Sequence, residues 1–234
     1  MKFLLLIALS ASFSAQAVEW KSIFISGDDS IENFDNGRKT LSTMLAPLGA
    51  HVENQVHLTS ADKEVKKGVK LATGENVVSA FQNLKITKKK DGCFVFMTSH
   101  GAKNQGFYLS RAGILTPANL AQLLDTACGD EPTVVLISAC YSGQFINNTL
   151  AKKNRVIMTA AIADRPSFGC SADTKYTYWD ECIIDSLPSV NTWEELYTDV
   201  KACISDKETR LGFQASKPQA FFGESMKGLN ILNK

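Results

Sequence analysis

Short apolar runs of strand length alternate with helix-patterned segments along this chain, and the alternation is the strongest indication of its fold. Two runs, Phe94–Met97 and Val134–Ile137, are apolar at every position, which is typical of strands buried on both faces of a sheet. Strands that alternate with helices favour a parallel sheet covered by helices on both sides. We therefore expect an α/β fold with three layers.

The same two periodicities predict the other elements. The remaining predicted strands are 22–26, 53–58, 155–160 and a closing strand at Phe221-Phe222. The predicted helices are 36–47, one that begins at Thr73 or Glu75, one from Pro117 to about Cys128, 177–187 and 192–206. The charged stretch Lys63–Lys70 is assigned to a solvated loop. No repeat or linker interrupts this series, so a single domain is expected.

The first 17 residues have the pattern of a secretory signal peptide. Lys2 supplies the positive charge, Phe3–Leu9 form a short apolar core, and Ala15-Gln16-Ala17 fits the cleavage site. The apolar core is too short to span a bilayer. We therefore expect an exported protein, periplasmic or secreted, with residues 18–234 as the mature domain and no stable membrane anchor.

The charge balance argues against nucleic acid as a partner. Cleavage after Ala17 removes one lysine and no acidic residue, which brings the 25 basic and 24 acidic residues of the full chain into balance. A neutral chain without a basic stripe or polybasic tail lacks the electrostatic footprint of a nucleic-acid-binding or lipid-binding surface.

The cysteines indicate disulfides rather than a metal site. An exported chain keeps disulfides, and none of the six cysteines forms the Cys-x-x-Cys pair of zinc or thioredoxin-type sites. Cys93 begins the strand Phe94–Met97, and Cys128 ends the helix before the strand Val134–Ile137. In a parallel sheet both lie at the same edge, which predicts a Cys93–Cys128 bridge. Cys182 and Cys203, on consecutive helices, are the second predicted pair.

A histidine and a cysteine follow the two fully apolar strands. His100-Gly101 comes just after the first, and Cys140, with Ser142-Gly143 behind it, comes just after the second. Each block alone is more often a turn or a buried thiol. Their joint position at strand ends, where neighbouring strands lie about 5 Å apart, favours a thiolate nucleophile with an imidazole partner. The N–H groups of Gly101 and Cys140 are then candidates for an oxyanion hole.

These blocks resemble those of the legumain-like cysteine peptidases, a caspase-like family that includes asparaginyl endopeptidases and the catalytic subunit of GPI transamidase. The resemblance is carried by Phe94–Gly101 and Val134–Gly143, and it extends to Thr159-Ala160-Ala161, Arg165-Pro166-Ser167, Cys170 and Thr177-Tyr178. It implies a caspase-like three-layer sandwich with a mostly parallel six-stranded sheet and helices on both faces.

The resemblance also implies roles for single residues. Cys140 matches the nucleophile, His100 the general base and acid, and Gly101 and Cys140 the oxyanion donors. Asp29 falls where legumains have an asparagine that steadies the histidine, which makes it a candidate for supporting His100. No metal and no organic cofactor is implied.

Three further positions are candidates for binding the substrate. On the family register, Asp35 falls where legumains have an arginine, Tyr141 replaces an acidic residue, and Glu181 or its neighbour Asp180 falls near the remaining pocket acid. The pocket would then hold a carboxylate without a cationic partner. A buried carboxylate of this kind favours a substrate cation, which predicts Arg or Lys before the cleaved bond.

Three classes of function remain open at this point. The leading interpretation is a cysteine endopeptidase that acts on a peptide or protein through a thioester acyl-enzyme. A transpeptidase or transamidase would use the same intermediate with an amine in place of water. A second class is a non-catalytic caspase-like binding module, and the intact Cys140 and His100 pair argues against it. A third class is a thiol redox protein, which the absence of a Cys-x-x-Cys pair argues against.

Overall fold

The computed structural model of the protein describes residues 18–84, 86 and 91–234, and the predicted signal peptide lies outside these residues. The described helices are α1 (Asn33–Leu45), α2 (Gly74–Asn83), α3 (Pro117–Cys128), α4 (Tyr178–Ser186) and α5 (Trp193–Leu211). The described strands are β1 (Glu19–Ser26), β2 (Gln55–Thr59), β3 (Val69–Leu71), β4 (Asp91–Thr98), β5 (Gly101–Ala102), β6 (Gly106–Leu109), β7 (Gly113–Leu115), β8 (Thr133–Ser138), β9 (Arg155–Thr159) and β10 (Gln219–Phe222).

Seven of the described strands form the central sheet, in the order β10-β9-β8-β4-β1-β2-β3. Neighbours are parallel except for β10, which runs antiparallel to β9. The predicted mostly parallel α/β sandwich is confirmed, but the predicted count of six strands is wrong by one. The extra strand, β3, begins inside the stretch assigned to a charged loop. Edge strands are often short and carry charged residues. Lys70 within β3 is exposed, so this short strand has the sequence pattern of a charged loop.

Helices cover both faces of the sheet because successive side chains of each buried strand point to opposite sides. Ile23 and Ile25 pack into a core with α2 and α3, whereas Phe24 between them packs into a second core with α1, α4 and α5. Both faces of β4 and β8 are buried, which explains the uninterrupted apolar runs in these strands.

Four helices begin directly after a threonine cap. The side chains of Thr73, Thr116, Thr177 and Thr192 each accept a hydrogen bond from a backbone N–H in the first turn of α2, α3, α4 and α5. The predicted start of α3 at Pro117 and its end at Cys128 are confirmed.

Both predicted disulfides are present. Cys93–Cys128 joins the start of β4 to the end of α3, with the two Cα atoms 6.0 Å apart, and Cys182–Cys203 joins α4 to α5. Cys140 and Cys170 are free. The bridges leave the predicted nucleophile as a thiol.

Candidate active site

His100 and Cys140 are brought to the same place by the pairing of β4 with β8. The two strands are parallel neighbours, and Thr98 lies opposite Ser138 at their carboxyl ends. Each candidate residue follows two positions after that pair. In parallel α/β sheets, ligands bind beyond the carboxyl ends of the strands, and the structure places both residues there.

His100 is positioned by three contacts, and its imidazole stays accessible to solvent. Its backbone carbonyl accepts a hydrogen bond from Tyr108 N–H at 3.0 Å, which ties it to the small β5-β6-β7 sheet. The ring meets the edge of the buried Phe34 with centroids 5.1 Å apart, and Nε2 lies 3.9 Å from Oδ1 of Asp28. The side chain is still 43% exposed, so a substrate can reach it.

Asp28, and not its neighbour Asp29, is the carboxylate beside the imidazole. Asp28 is buried and accepts hydrogen bonds from Ser30, including one from the backbone N–H at 2.8 Å. Asp29 is exposed and faces Arg111, with 3.4 Å between Oδ2 and the guanidinium. Both aspartates follow the end of β1 at Ser26, and the two adjacent side chains have different partners.

The thiol of Cys140 contacts the segment that follows β9. Sγ lies 3.3 Å from the backbone N–H of Ser167 and 3.4 Å from its carbonyl oxygen. Among the described residues, the hydrogen bonds of Sγ all involve Ser167, and none joins it to His100. Catalytic hydrogen bonds are often long or absent before substrate binds and tighten in the complex. Ser167 belongs to the family-like segment noted in the sequence, but its contact with the thiol was not predicted.

The turn after Cys140 is strained and tightly packed. Tyr141 has φ of 57°, which places a bulky residue in the left-handed region at a cost of about 1–3 kcal/mol. Its N–H donates to Arg165 at 2.8 Å, and Gly143 lies so close to the chain that an added Cβ would be 2.6 Å from Ala163 N. Such strain is concentrated at functional sites, where the surrounding contacts enforce it.

The two candidate oxyanion groups lie against each other. A Cβ added to Gly101 would be 1.9 Å from the carbonyl oxygen of Cys140 and 3.1 Å from its nitrogen. Only glycine allows this approach. Gln144 adds a second link, because its side-chain amide donates to the carbonyls of both Ala102 and Tyr141. The turn after His100 and the turn after Cys140 therefore form one packed unit.

The three substrate-binding candidates occupy different surroundings. Tyr141 follows Cys140 directly, and Glu181 forms an ion pair with Lys207 at 3.0 Å. Asp35 is buried, and its carboxylate accepts hydrogen bonds from Arg38 Nε and Thr59 Oγ1, both at 2.8 Å. The premise that this carboxylate lacks a cationic partner is wrong, since Arg38 supplies one a single helical turn away. The argument for a basic residue before the cleaved bond loses its basis.

Arg38 also extends this network to a histidine. One guanidinium nitrogen lies 3.1 Å from Nδ1 of His57, whose Nε2 is 2.9 Å from Oε1 of Gln55. Burial and the positive charges of Arg38 and Lys66 lower the pKa of His57 to about 4. The ring is therefore neutral near pH 7, with Nδ1 accepting from Arg38 and Nε2–H donating to Gln55.

Cys170 is a second free thiol near the site. Burial raises the pKa of Cys170 to about 12, and the negative charges of Cys140, Asp180 and Asp28 add to the effect. The thiolate is the reactive form of cysteine, so Cys170 stays protonated and inert at neutral pH. This leaves Cys140 as the candidate nucleophile.

Two cavities adjoin the amino end of α1, the helix that packs Phe34 on His100. Cavities of about 310 Å³ and 460 Å³ share Ser30–Glu32 and Asn36 in their walls. Asp29 and Asp35 line the smaller one, and Asp173 and Lys175 line the larger. The walls are mainly polar and charged, which suits the backbone and polar side chains of a peptide.

The described ranges contain neither a metal cluster nor a membrane-spanning helix. No group of three or more His, Cys, Asp or Glu side chains there is arranged to hold a metal ion. Nor does that part of the chain contain a helix with the length and apolar character needed to cross a bilayer.

Comparisons with known proteins give evidence on family and fold that is independent of this geometry. The peptidase C13 family model matches residues 13–228. The structure is similar to the crystal structure of caspase-1 from Spodoptera frugiperda, with a TM-score of 0.62, 14% sequence identity and 88% of each chain covered. A comparison with curated protein sequences finds no match. At this low identity the caspase likeness concerns the fold alone, and it agrees with the three-layer architecture.

Proposed function

The chain belongs to the peptidase C13 family, and from this premise we propose that it is an exported cysteine endopeptidase that hydrolyses peptide bonds with Cys140 and His100. The family and the caspase-like fold support a cysteine peptidase. The observation that carries the assignment of residues is the pairing of β4 with β8, which brings a free thiol and an accessible imidazole to adjacent strand ends.

In the proposed reaction, His100 takes the proton of the Cys140 thiol, and the thiolate attacks the carbonyl carbon of the scissile amide. The negative charge that develops on the carbonyl oxygen is stabilised by the N–H groups of Gly101 and Cys140, whose peptide units lie in contact. His100 then gives its proton to the leaving amine, and a thioester remains on Cys140. Water, deprotonated by His100, attacks the thioester and releases the acid and the free thiol.

Asp28 is the carboxylate placed to support the imidazolium in these steps. Its Oδ1 lies 3.9 Å from His100 Nε2, close enough to stabilise the positive charge that forms on the ring during the reaction, while Phe34 packs against that ring at 83°. Asp29, the candidate chosen from the sequence, is engaged with Arg111 instead.

Export is proposed on two grounds. Residues 1–17 match a signal peptide in sequence, and two disulfides tie the mature domain together. Disulfides form and persist in the periplasm and outside the cell. Sequencing the amino terminus of protein recovered from the producing cells checks this, with Val18 as the expected first residue.

The test of the proposed function is a cleavage profile of the purified domain, residues 18–234, on a peptide library read by mass spectrometry. Wild-type protein should release new carboxyl termini at defined positions, and Cys140→Ser should release none. Addition of an amine nucleophile separates hydrolysis from transpeptidation, because a transpeptidase would give the ligated product in place of the acid. Equal cleavage by the wild type and Cys140→Ser, or cleavage by neither, would refute the proposal.

A further inference from the structure

A buried carboxylate lies directly beneath the candidate site, and the proposed reaction does not use it. Asp180, in the first turn of α4, is 2% exposed. Its Oδ2 accepts a hydrogen bond from Thr98 Oγ1 at 2.8 Å, and its Oδ1 makes no hydrogen bond with the described residues. Thr98 is the last residue of β4, two positions before His100.

The backbone N–H of Asp180 joins a set of contacts that reaches the end of β8. Ser138, two positions before Cys140, has its Oγ 3.1 Å from Thr177 Oγ1. Thr177 caps α4 by accepting a hydrogen bond from the backbone N–H of Asp180 at 3.1 Å. The ends of both catalytic strands therefore meet the first turn of one helix.

The helix α1 also packs against Asp180. Gly37 of α1 lies so near that an added Cβ would be 2.6 Å from Asp180 Oδ2. The same helix carries Phe34, which packs on the imidazole of His100. Asp180 thus contacts the helix that orients the histidine as well as the strand that carries it.

We propose that Asp180 is a positioning residue, which holds the ends of β4 and β8 to the amino end of α4 and so sets the position of His100 relative to Cys140. The proposal rests on the proposed function, in which these two residues act together. Displacement of a catalytic group by about 1 Å costs up to about a hundredfold in rate, so a contact that fixes both strand ends bears directly on turnover.

The unfavourable environment of Asp180 supports a role beyond stability. Burial raises the pKa of this carboxyl to about 6, although the hydroxyls of Ser138, Thr98 and Thr177 favour its ionised form. Cys170 is the titratable neighbour that responds to its charge. A buried carboxylate without a cation beside it is a poor source of stability compared with an apolar residue. A buried group that is unfavourable for stability is typical of functional sites.

The experiment uses four variants of the mature domain. Asp180→Asn removes the charge, Thr98→Val removes the hydroxyl that donates to Asp180, and Thr98→Ser restores it. Thr133→Val is the matched control, because Thr133 is also fully buried and donates a 2.9 Å hydrogen bond, to Glu131 O, but lies at the opposite end of the sheet, at the start of β8. Each variant is measured for kcat, KM, melting temperature and the rate at which iodoacetamide alkylates Cys140.

We expect Thr98→Val and Asp180→Asn to lower kcat about tenfold while KM changes less than about twofold. Alkylation of Cys140 should slow in parallel, Thr98→Ser should restore most of the rate, and Thr133→Val should affect only the melting temperature. If Thr98→Val lowers the melting temperature as Thr133→Val does and leaves kcat and alkylation unchanged, Asp180 is merely structural and the proposal is wrong.

The alkylation rate keeps this test separate from that of the proposed function. If no peptide is cleaved by any form but Thr98→Val and Asp180→Asn still slow the alkylation of Cys140, the positioning role stands and the endopeptidase assignment fails. If neither variant slows alkylation, the positioning role fails whatever the wild type cleaves.

Discussion

The two ends of β4 and β8 are built in different ways. At the amino ends, Cys93 is fully buried and bridged to Cys128, and its N–H donates to Pro132 O at 2.8 Å. At the carboxyl ends, Cys140 is a free thiol, Tyr141 is held in a left-handed conformation, and the carboxylate of Asp180 is buried. The amino ends are held by a disulfide, whereas the carboxyl ends have a strained backbone at Tyr141 and a buried carboxylate at Asp180. The comparison predicts that changes at the carboxyl ends alter activity, whereas changes at the amino ends alter stability.

The largest effect is expected from the dyad. Cys140→Ser and His100→Ala should each lower kcat/KM by at least about a thousandfold, because a nucleophile and its base act as one unit. The melting temperature should change by no more than a few degrees, since neither side chain lies in the core. His51→Ala is the control, an exposed histidine that precedes β2 at the amino edge of the sheet. Near-normal turnover in either dyad variant would contradict the prediction that changes at the carboxyl ends of the strands alter activity.

The next effect is expected at the amino ends. A double Cys93→Ser, Cys128→Ser variant opens a loop of 35 residues, which should lower the free energy of unfolding by about 3–4 kcal/mol. Chemical denaturation measures that loss. In the folded fraction at 25 °C, kcat should remain within about twofold of the wild type, because the bridge is separated from the site by the full length of β4. A large fall in kcat without loss of stability would show that the two ends are coupled.

The sequence predicted these two regions unequally well. His100, Cys140 and the Cys93–Cys128 bridge follow from strand ends, which apolar runs mark clearly. Contacts made between distant segments leave no such mark. Ser167 contacts the thiol of Cys140, which lies 27 positions earlier in the chain, and no local sequence pattern predicts this contact. An alignment error of one residue at the turn after β1 assigned the supporting role to Asp29, although Asp28 faces the imidazole. The hydrogen bond from Arg38 to Asp35 depends on side-chain directions, which an alignment to the family does not give.

The third prediction concerns the pH dependence of stability at the carboxyl ends. Because burial raises the pKa of Asp180 from 3.8 to about 6, its contribution to stability is fully present below pH 3.8 and is lost as the pH rises through about 6. Asp180→Asn removes this dependence, so its free energy of unfolding relative to the wild type should increase by up to about 3 kcal/mol between pH 4 and pH 7.5.

The difference between the two proteins is the quantity to measure, since His57 acts in the opposite direction. Its pKa is lowered from 6.5 to about 4, so its contribution is present above pH 6.5 and is lost as the pH falls through about 4. Both proteins contain His57, and its contribution cancels in the difference. A difference that stays constant from pH 4 to pH 7.5 would show that Asp180 has the same proton affinity in the folded and unfolded chains.

The smallest effect separates two adjacent residues at the end of β1. Asp28→Asn removes the charge 3.9 Å from His100 Nε2, and we expect kcat/KM to fall about three- to tenfold, because one charge near a half-exposed ring is screened by solvent. Asp29→Asn is the matched variant on the same turn. It breaks the contact with Arg111 and should leave kcat/KM within about twofold of the wild type. The opposite result, with Asp29→Asn slow and Asp28→Asn normal, would return the supporting role to the residue first chosen from the sequence.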